Sequence, residues 1–187
     1  MGLFFVWCWC LRVEVRLAGV GGQGVVLAGH VLGLAAFLQG FFVVQTQSYG
    51  ARVRGSPVWS DVIISDKPVG FPFVRKCDIL LAMHGKALQA SLPLLKENGT
   101  LIIDTSKAAP PTGLKAKILE IPAEKASKQK FGTPIYANMI MLGFLSAKTN
   151  IVDETNLKKA VEKTVEHNLK ANLEALELGL RRTSSLT

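Results

Sequence analysis

Residues 12–38 read RVEVRLAGVGGQGVVLAGHVLGLAAFL, and their reading decides the fold. Val13, Val15 and Leu17 alternate with Glu14 and Arg16, the period-two pattern of a strand, and Ala18 leads into glycine. From Gly24 the chain becomes rich in Ala and Leu and stays so to Leu38, with Gly40 closing a helix. Between strand and helix, Gly19, Gly21 and Gly24 fit the spacing G-x-G-x-x-G, with Gly22 and Gln23 completing the loop. In such a loop Gly19 permits the sharp turn, Gly21 lets backbone approach a phosphate, and Gly24 lets the helix pack on the sheet. Free N–H groups at the helix start favour an anion. The dinucleotide fingerprint also asks for an acid about 20 residues on, to hold the ribose hydroxyls. No acid lies between Glu14 and Asp61, so a standard NAD site is disfavoured. Two readings stay open: a ligand loop, or a tight strand–helix turn and nothing more. Gln23 divides the same way, between bonding a ligand and capping the loop backbone.

Downstream, Phe41–Thr46 predicts a second buried strand and 47–57, QSYGARVRGSP, a loop. Arg52 and Arg54 are the only formal charges from Leu17 to Ser60. Bracketed by glycines, they either present a guanidinium fork to phosphate or carboxylate, or stand solvated on the surface. Strands are predicted at 59–65, 78–83, 100–104 and 115–121. Helices are predicted at 87–95, broken by Pro93 and stopped by Asn98-Gly99, at 124–130, and at 134–148 behind a Thr133 cap. A last helix from Asp153 carries Leu157, Val161, Val165, Leu169, Leu173 and Leu176 at helical spacing. His30 reads as a core histidine of the first helix. His84 follows a strand at its carboxyl end, without a nucleophile beside it. Asp61 and Asp78 form no recognisable carboxylate pair. Strands alternating with helices give an α/β fold: a Rossmann-like, mostly parallel sheet flanked by helices, with a long C-terminal helix. The domain reading is an apolar extension over 1–11 and a single domain over 12–187.

Composition narrows the function classes. At 187 residues, 49% hydrophobic and 19% charged, the chain is neither disordered nor fibrous. Cys8, Cys10 and Cys77 make no metal or cluster spacing, and a reducing, cytoplasmic compartment fits them best. Residues 1–11, MGLFFVWCWCL, lack the basic region and cleavage site of a signal peptide and are too short to span a bilayer. They read as an extension packed on the domain or a partner, or as an upstream start codon. The net charge of +8 is concentrated in 66–131, which holds eleven of the Lys and Arg against six acids. It is spread as single lysines without a basic run or stacking motif. An acidic partner or phosphorylated ligand suits that pattern better than nucleic acid.

The segments LAGVGGQGVVLAGHVL, QSYGARVRG, DVIISDKPV, DILLAM, GTLIIDTS and ANMIMLGFL, in this order over residues 12 to about 180, resemble the gamma subunit of 2-oxoacid:ferredoxin oxidoreductases. The pairing of GVGGQG with the SYG…RG loop is the specific feature, and that loop resembles the 2-oxoglutarate type most. The resemblance implies a cytoplasmic complex that oxidatively decarboxylates a 2-oxoacid with coenzyme A, yielding acyl-CoA, CO2 and reduced ferredoxin. It implies alpha, beta and delta partner subunits, with ferredoxin as acceptor and no nucleic acid or membrane. Thiamine diphosphate and 4Fe–4S clusters would lie on the other subunits, with no catalytic or metal-ligating residue on this chain. Gly19, Gly21, Gly22, Gln23, Gly24, Arg52 and Arg54 would then be its cofactor-binding residues, toward coenzyme A. The competing reading is a free-standing nucleotide-binding or NAD-dependent oxidoreductase of Rossmann type.

Overall fold

The alternation around Val13–Leu17 forms β1 (Arg12–Val20), and the glycine loop delivers the chain into α1 (Val25–Leu38). The computed structural model describes residues 11–48 and 56–181. Five further strands follow: β2 (Phe42–Gln47), β3 (Pro57–Ser65), β4 (Cys77–Ala82), β5 (Leu95–Asp104) and β6 (Lys117–Ile121). They form one sheet in the order β2-β3-β1-β4-β5-β6. β1, β4, β5 and β6 are parallel neighbours, whereas β3 runs antiparallel to both β1 and β2. Five strands therefore share one direction, and the predicted mostly parallel sheet holds with one reversed strand. β2 and β3, consecutive in the chain, pair directly with each other.

The remaining helices are α2 (Gly85–Ser91), α3 (Ala123–Phe131), α4 (Ala137–Thr149), α5 (Glu154–Thr164) and α6 (Leu169–Arg181). One sheet face carries α1, α4, α5 and α6. Val15, Leu17, Leu81 and Ile102 meet Leu32, Ile140, Phe144, Leu157 and Leu176 there in the main core. The other face, with Ala18, Ile63, Leu80 and Leu101, is covered by α2 and by irregular segments around Val74 and Leu114. Among the described residues no helix is long and apolar enough to cross a membrane.

Several elements depart from expectation for identifiable reasons. Phe42–Gln47 and Lys117–Ile121 are half-exposed because each lies at a sheet edge with a single neighbour. Asn98-Gly99 does not end a helix. Pro93 stops α2 in a single 3₁₀ turn, Leu92–Leu94, and Asn98 and Gly99 lie in β5 where its register with β4 shifts. Thr133 is no cap: Ala137 N–H donates to the Pro134 carbonyl at 3.1 Å, so 134–136 form a turn and α4 starts later. Asp153 does cap a helix, accepting from Asn156 N–H at 2.7 Å. The apolar stripe beyond it is divided at 165–168 into α5 and α6, with Asn168 at φ +55°. α6, of 13 residues, is the long closing helix. His30 is exposed on α1 and is not a core residue.

Candidate functional site

The glycine loop lies at the carboxyl edge of the sheet, where open α/β sheets receive ligands. Gly19 is still within β1, and a Cβ there would meet Gln23 Oε1 and Val25 Cγ2 at 2.7 Å each. That space is filled by Gln23. Its Oε1 accepts from Val20 N–H at 2.9 Å and its Nε2 donates to the Met83 carbonyl at 3.1 Å. Gln23 thus pins the loop to the end of β4, the loop-capping reading of the two. Gly21 N–H donates to the Ser56 carbonyl at 3.3 Å, so it is engaged by the start of β3. The left-handed turn falls at Gly22 (φ +96°) and Gly24 (φ +70°), where a side chain would be strained. Gly24 also admits Asn138: a Cβ at Gly24 would collide with the Asn138 amide. The close packing made by the third glycine of the motif is therefore against α4.

Asn138 is 3% exposed and divides two hollows. Its Oδ1 accepts from Met139 N–H at 2.8 Å, and its Nδ2 reaches the Gly24 carbonyl at 3.4 Å. On one side lies a cleft of about 390 Å³ between Gly22, Gly24, Ile135 and the α5–α6 elbow, Thr164 to Asn168. The elbow is held by Asn172, whose Nδ2 donates to the carbonyls of Asn168 at 3.1 Å and His167 at 3.4 Å. Thr164 Oγ1, in the cleft wall, is buried without a hydrogen-bond partner. On the other side is a pocket of about 90 Å³ reaching Gln23, Met83, Asp104 and Glu124. Asp104, at the end of β5, accepts from Ser106 N–H at 2.9 Å and Glu124 N–H at 3.0 Å. Burial would raise the Glu124 carboxyl. Lys128 at 2.7 Å and Lys107 at 3.2 Å outweigh it and hold the group below its ordinary value.

Of the residues picked from the sequence, Gly22 and Gly24 line the main cleft, Gln23 lines the smaller pocket, and Gly19 and Gly21 support the loop from behind. Arg52 and Arg54 lie outside the described residues. The ends of their segment do not: Ser48 N–H donates to the Trp59 carbonyl at 3.0 Å, and Ser56 bonds Gly21. His84 caps α2, its Nδ1 accepting from Lys86 N–H at 3.1 Å. Asp61 forms a buried bidentate pair with Arg16, Nε to Oδ1 at 2.7 Å and a terminal nitrogen to Oδ2 at 2.6 Å. Burial pushes its carboxyl upward against that pull.

Asn138, Thr164 and the elbow were not legible as site residues. Their only trace is a polar residue just inside an apolar helix, and a Thr-Val-Glu-His-Asn stretch that leaves the periodic stripe intact. Among the described residues no group of three His, Cys, Asp or Glu side chains could hold a metal. Cys77 is a single buried thiol, raised to about 11 chiefly by burial. These residues do not fit an iron–sulfur cluster.

The family model described as pyruvate ferredoxin/flavodoxin oxidoreductase matches residues 14–182. The 2-oxoglutarate synthase subunit KorC of Methanothermobacter marburgensis is 40% identical over 167 residues, which are 83% of this chain and 87% of that one. The pyruvate/ketoisovalerate oxidoreductases common subunit gamma of Thermococcus litoralis is 31% identical, over 88% and 96% of the two chains. The crystal structure of the keto/oxoacid ferredoxin oxidoreductase gamma subunit from Geobacter sulfurreducens matches with a TM-score of 0.82 at 35% identity. That match covers 91% of this chain and 95% of the other.

Proposed function

The chain belongs to the pyruvate ferredoxin/flavodoxin oxidoreductase family, and on that premise we propose that it is the gamma subunit of a 2-oxoglutarate-type 2-oxoacid:ferredoxin oxidoreductase. The observation that carries the reading is the 40% identity to a 2-oxoglutarate synthase subunit over 87% of that subunit's length. The assembled enzyme would cleave the bond between the carboxylate and the oxo carbon, releasing CO2. A pair of electrons would pass to ferredoxin, and the oxidised acyl group to the coenzyme A sulfur. Thiamine diphosphate, on the alpha and beta subunits, supplies the electron sink for decarboxylation when bound. The complex is assigned to the cytoplasm, with a delta subunit carrying electrons onward.

This chain's share is binding and placement. We assign part of coenzyme A to the cleft beside Gly22 and Gly24. The α1 start offers unpaired N–H groups and the positive end of a helix dipole there. The buried Thr164 hydroxyl lacks a partner that a polar ligand would supply. Arg52 and Arg54 would contribute the formal charge, their segment being tied to the loop through Ser56 and Gly21. Gln23, with both amide groups engaged, positions the loop.

Reconstitution tests the reading. The chain alone is expected to show no turnover with 2-oxoglutarate, coenzyme A, thiamine diphosphate and a viologen acceptor. The alpha–beta pair should gain activity on its addition. In the complex, Arg54→Ala should raise KM for coenzyme A several-fold with assembly retained. Unchanged KM with lost assembly would make the loop an interface element, and activity of the isolated chain would sink the subunit reading.

A further inference from the structure

The sheet is covered unequally. Parallel sheets are ordinarily buried by helices on both faces. Here α1, α4, α5 and α6 cover one face, while the other has the seven-residue α2 and the coil segments 66–76 and 105–116. Val69 and Val74 fix the first segment to that face, and Ala108 and Leu114 the second. Lys76 Nζ ties the first to the Pro93 carbonyl at 2.7 Å, and Gly85 N–H ties α2 to the Lys107 carbonyl at 3.2 Å.

The net charge is collected on this covering layer. Segment 66–76 holds Lys67, Arg75 and Lys76 against Asp66. Residues 83–94 add Lys86, and 105–116 add Lys107 and Lys115, with no carboxylate in either. Five of the eight net positive charges thus sit on three short segments. Lys107 is paired with Glu124. Arg75, Lys86 and Lys115 are exposed and have no carboxylate within salt-bridge distance among the described residues. On the first of these segments stand Phe71 and Phe73, 46% and 58% exposed, edge to face at 5.6 Å, with the Arg75 guanidinium 4.9 Å over Phe71. An aromatic centre with arginine, rimmed by charge, is the composition of a protein-binding hot spot.

We propose that this face, centred on Phe71 and Phe73, docks an acidic surface of a companion subunit that holds an apolar socket for the aromatic pair. The proposal rests on the subunit reading above. A second copy of this chain is a poor occupant, since like charges would oppose it. Single-stranded nucleic acid needs open aromatic faces for stacking, and Phe71 is covered by Arg75.

The test uses the full chain co-expressed with the alpha and beta subunits, and compares two variants on this face with one elsewhere. Phe71→Ala/Phe73→Ala removes the centre and Lys86→Glu/Lys115→Glu reverses the rim. Lys159→Glu/Lys163→Glu makes the same charge change on α5, across the sheet. Wild type and the α5 variant should co-elute with the partners, while both variants on the docking face bind at least about tenfold more weakly. Their melting as free chains should be unchanged, and wild-type affinity should fall with salt. If the aromatic variant fails to fold, the charge reversal carries the test alone. Normal assembly of the docking-face variants, or equal loss in the α5 variant, would overturn the docking surface and leave the subunit reading standing. Failure of the wild type to assemble would overturn both. Tighter binding of an oligothymidylate than of the subunits, lost in Phe71→Ala/Phe73→Ala, would reassign the face to nucleic acid.

Discussion

Glu124 stands between Lys107 and Lys128 at the mouth of the smaller pocket, with its backbone N–H held by Asp104. Its carboxyl is held below the ordinary value of 4.5, so the folded state favours the ionised form. The stability this contributes is fully present above about pH 4.5 and is lost as pH falls through the lower folded value. Glu124→Gln should cost about 1 kcal/mol at neutral pH and flatten the acid limb of a urea-stability profile. An unaltered acid limb would show that the two lysines do not hold it. At the same scale, Gln23 explains why the loop keeps its shape with no side-chain cap on α1. One side chain closes the backbone of Val20 and Met83 together.

At the scale of elements, α4 and α6 lie against each other through paired glycines. A Cβ at Gly143 would strike the Leu176 carbonyl, and one at Gly179 the Ile140 carbonyl. Backbone meets backbone there, and no rotamer change can relieve an added atom. Gly179→Ala should therefore destabilise by about 1–3 kcal/mol through overpacking, read as a lower denaturant midpoint at unchanged m-value. The consequence reaches the site. α4 carries Asn138 against Gly24, and Asn172 on α6 holds the elbow that walls the cleft. A full-strength midpoint in the variant would show that the helices separate freely, and with them the cleft wall.

For the whole molecule, the boundary at Arg12 is open to direct test. Arg12 pairs with Ser65 in the β1–β3 register, and Leu11 contributes one bond, accepting from Asp66 N–H at 3.0 Å while 40% exposed. We propose that 12–187 is the folding unit. Removal of residues 1–11 should leave a single cooperative melting transition, and its loss would place the extension in the core. Cys77, buried at the start of β4 in the core on the α2 side of the sheet, should resist alkylation at neutral pH in either form.

What the sequence determined by itself is local. The strand, glycine loop and α1 follow from period-two and helical patterning around GVGGQG, and the Asp153 cap from a side chain reaching its own helix start. In the same way, the specific pairing of GVGGQG with the SYG…RG loop carried the family. What only the tertiary structure decided depends on neighbours. The apolar run Val62–Ile64 in β3 reads the same for either strand direction, so its reversal and the edge placement of β2 were hidden. An apolar stripe buries equally well on one helix or on two with an elbow, so the break at 165–168 left no mark in the periodicity. Asn138 and Thr164 are more than a hundred residues from Gly24 and meet it because α4, α5 and α6 share one sheet face with α1. Local patterning fixes which face of an element is apolar, and packing between distant elements decides where the cleft lies.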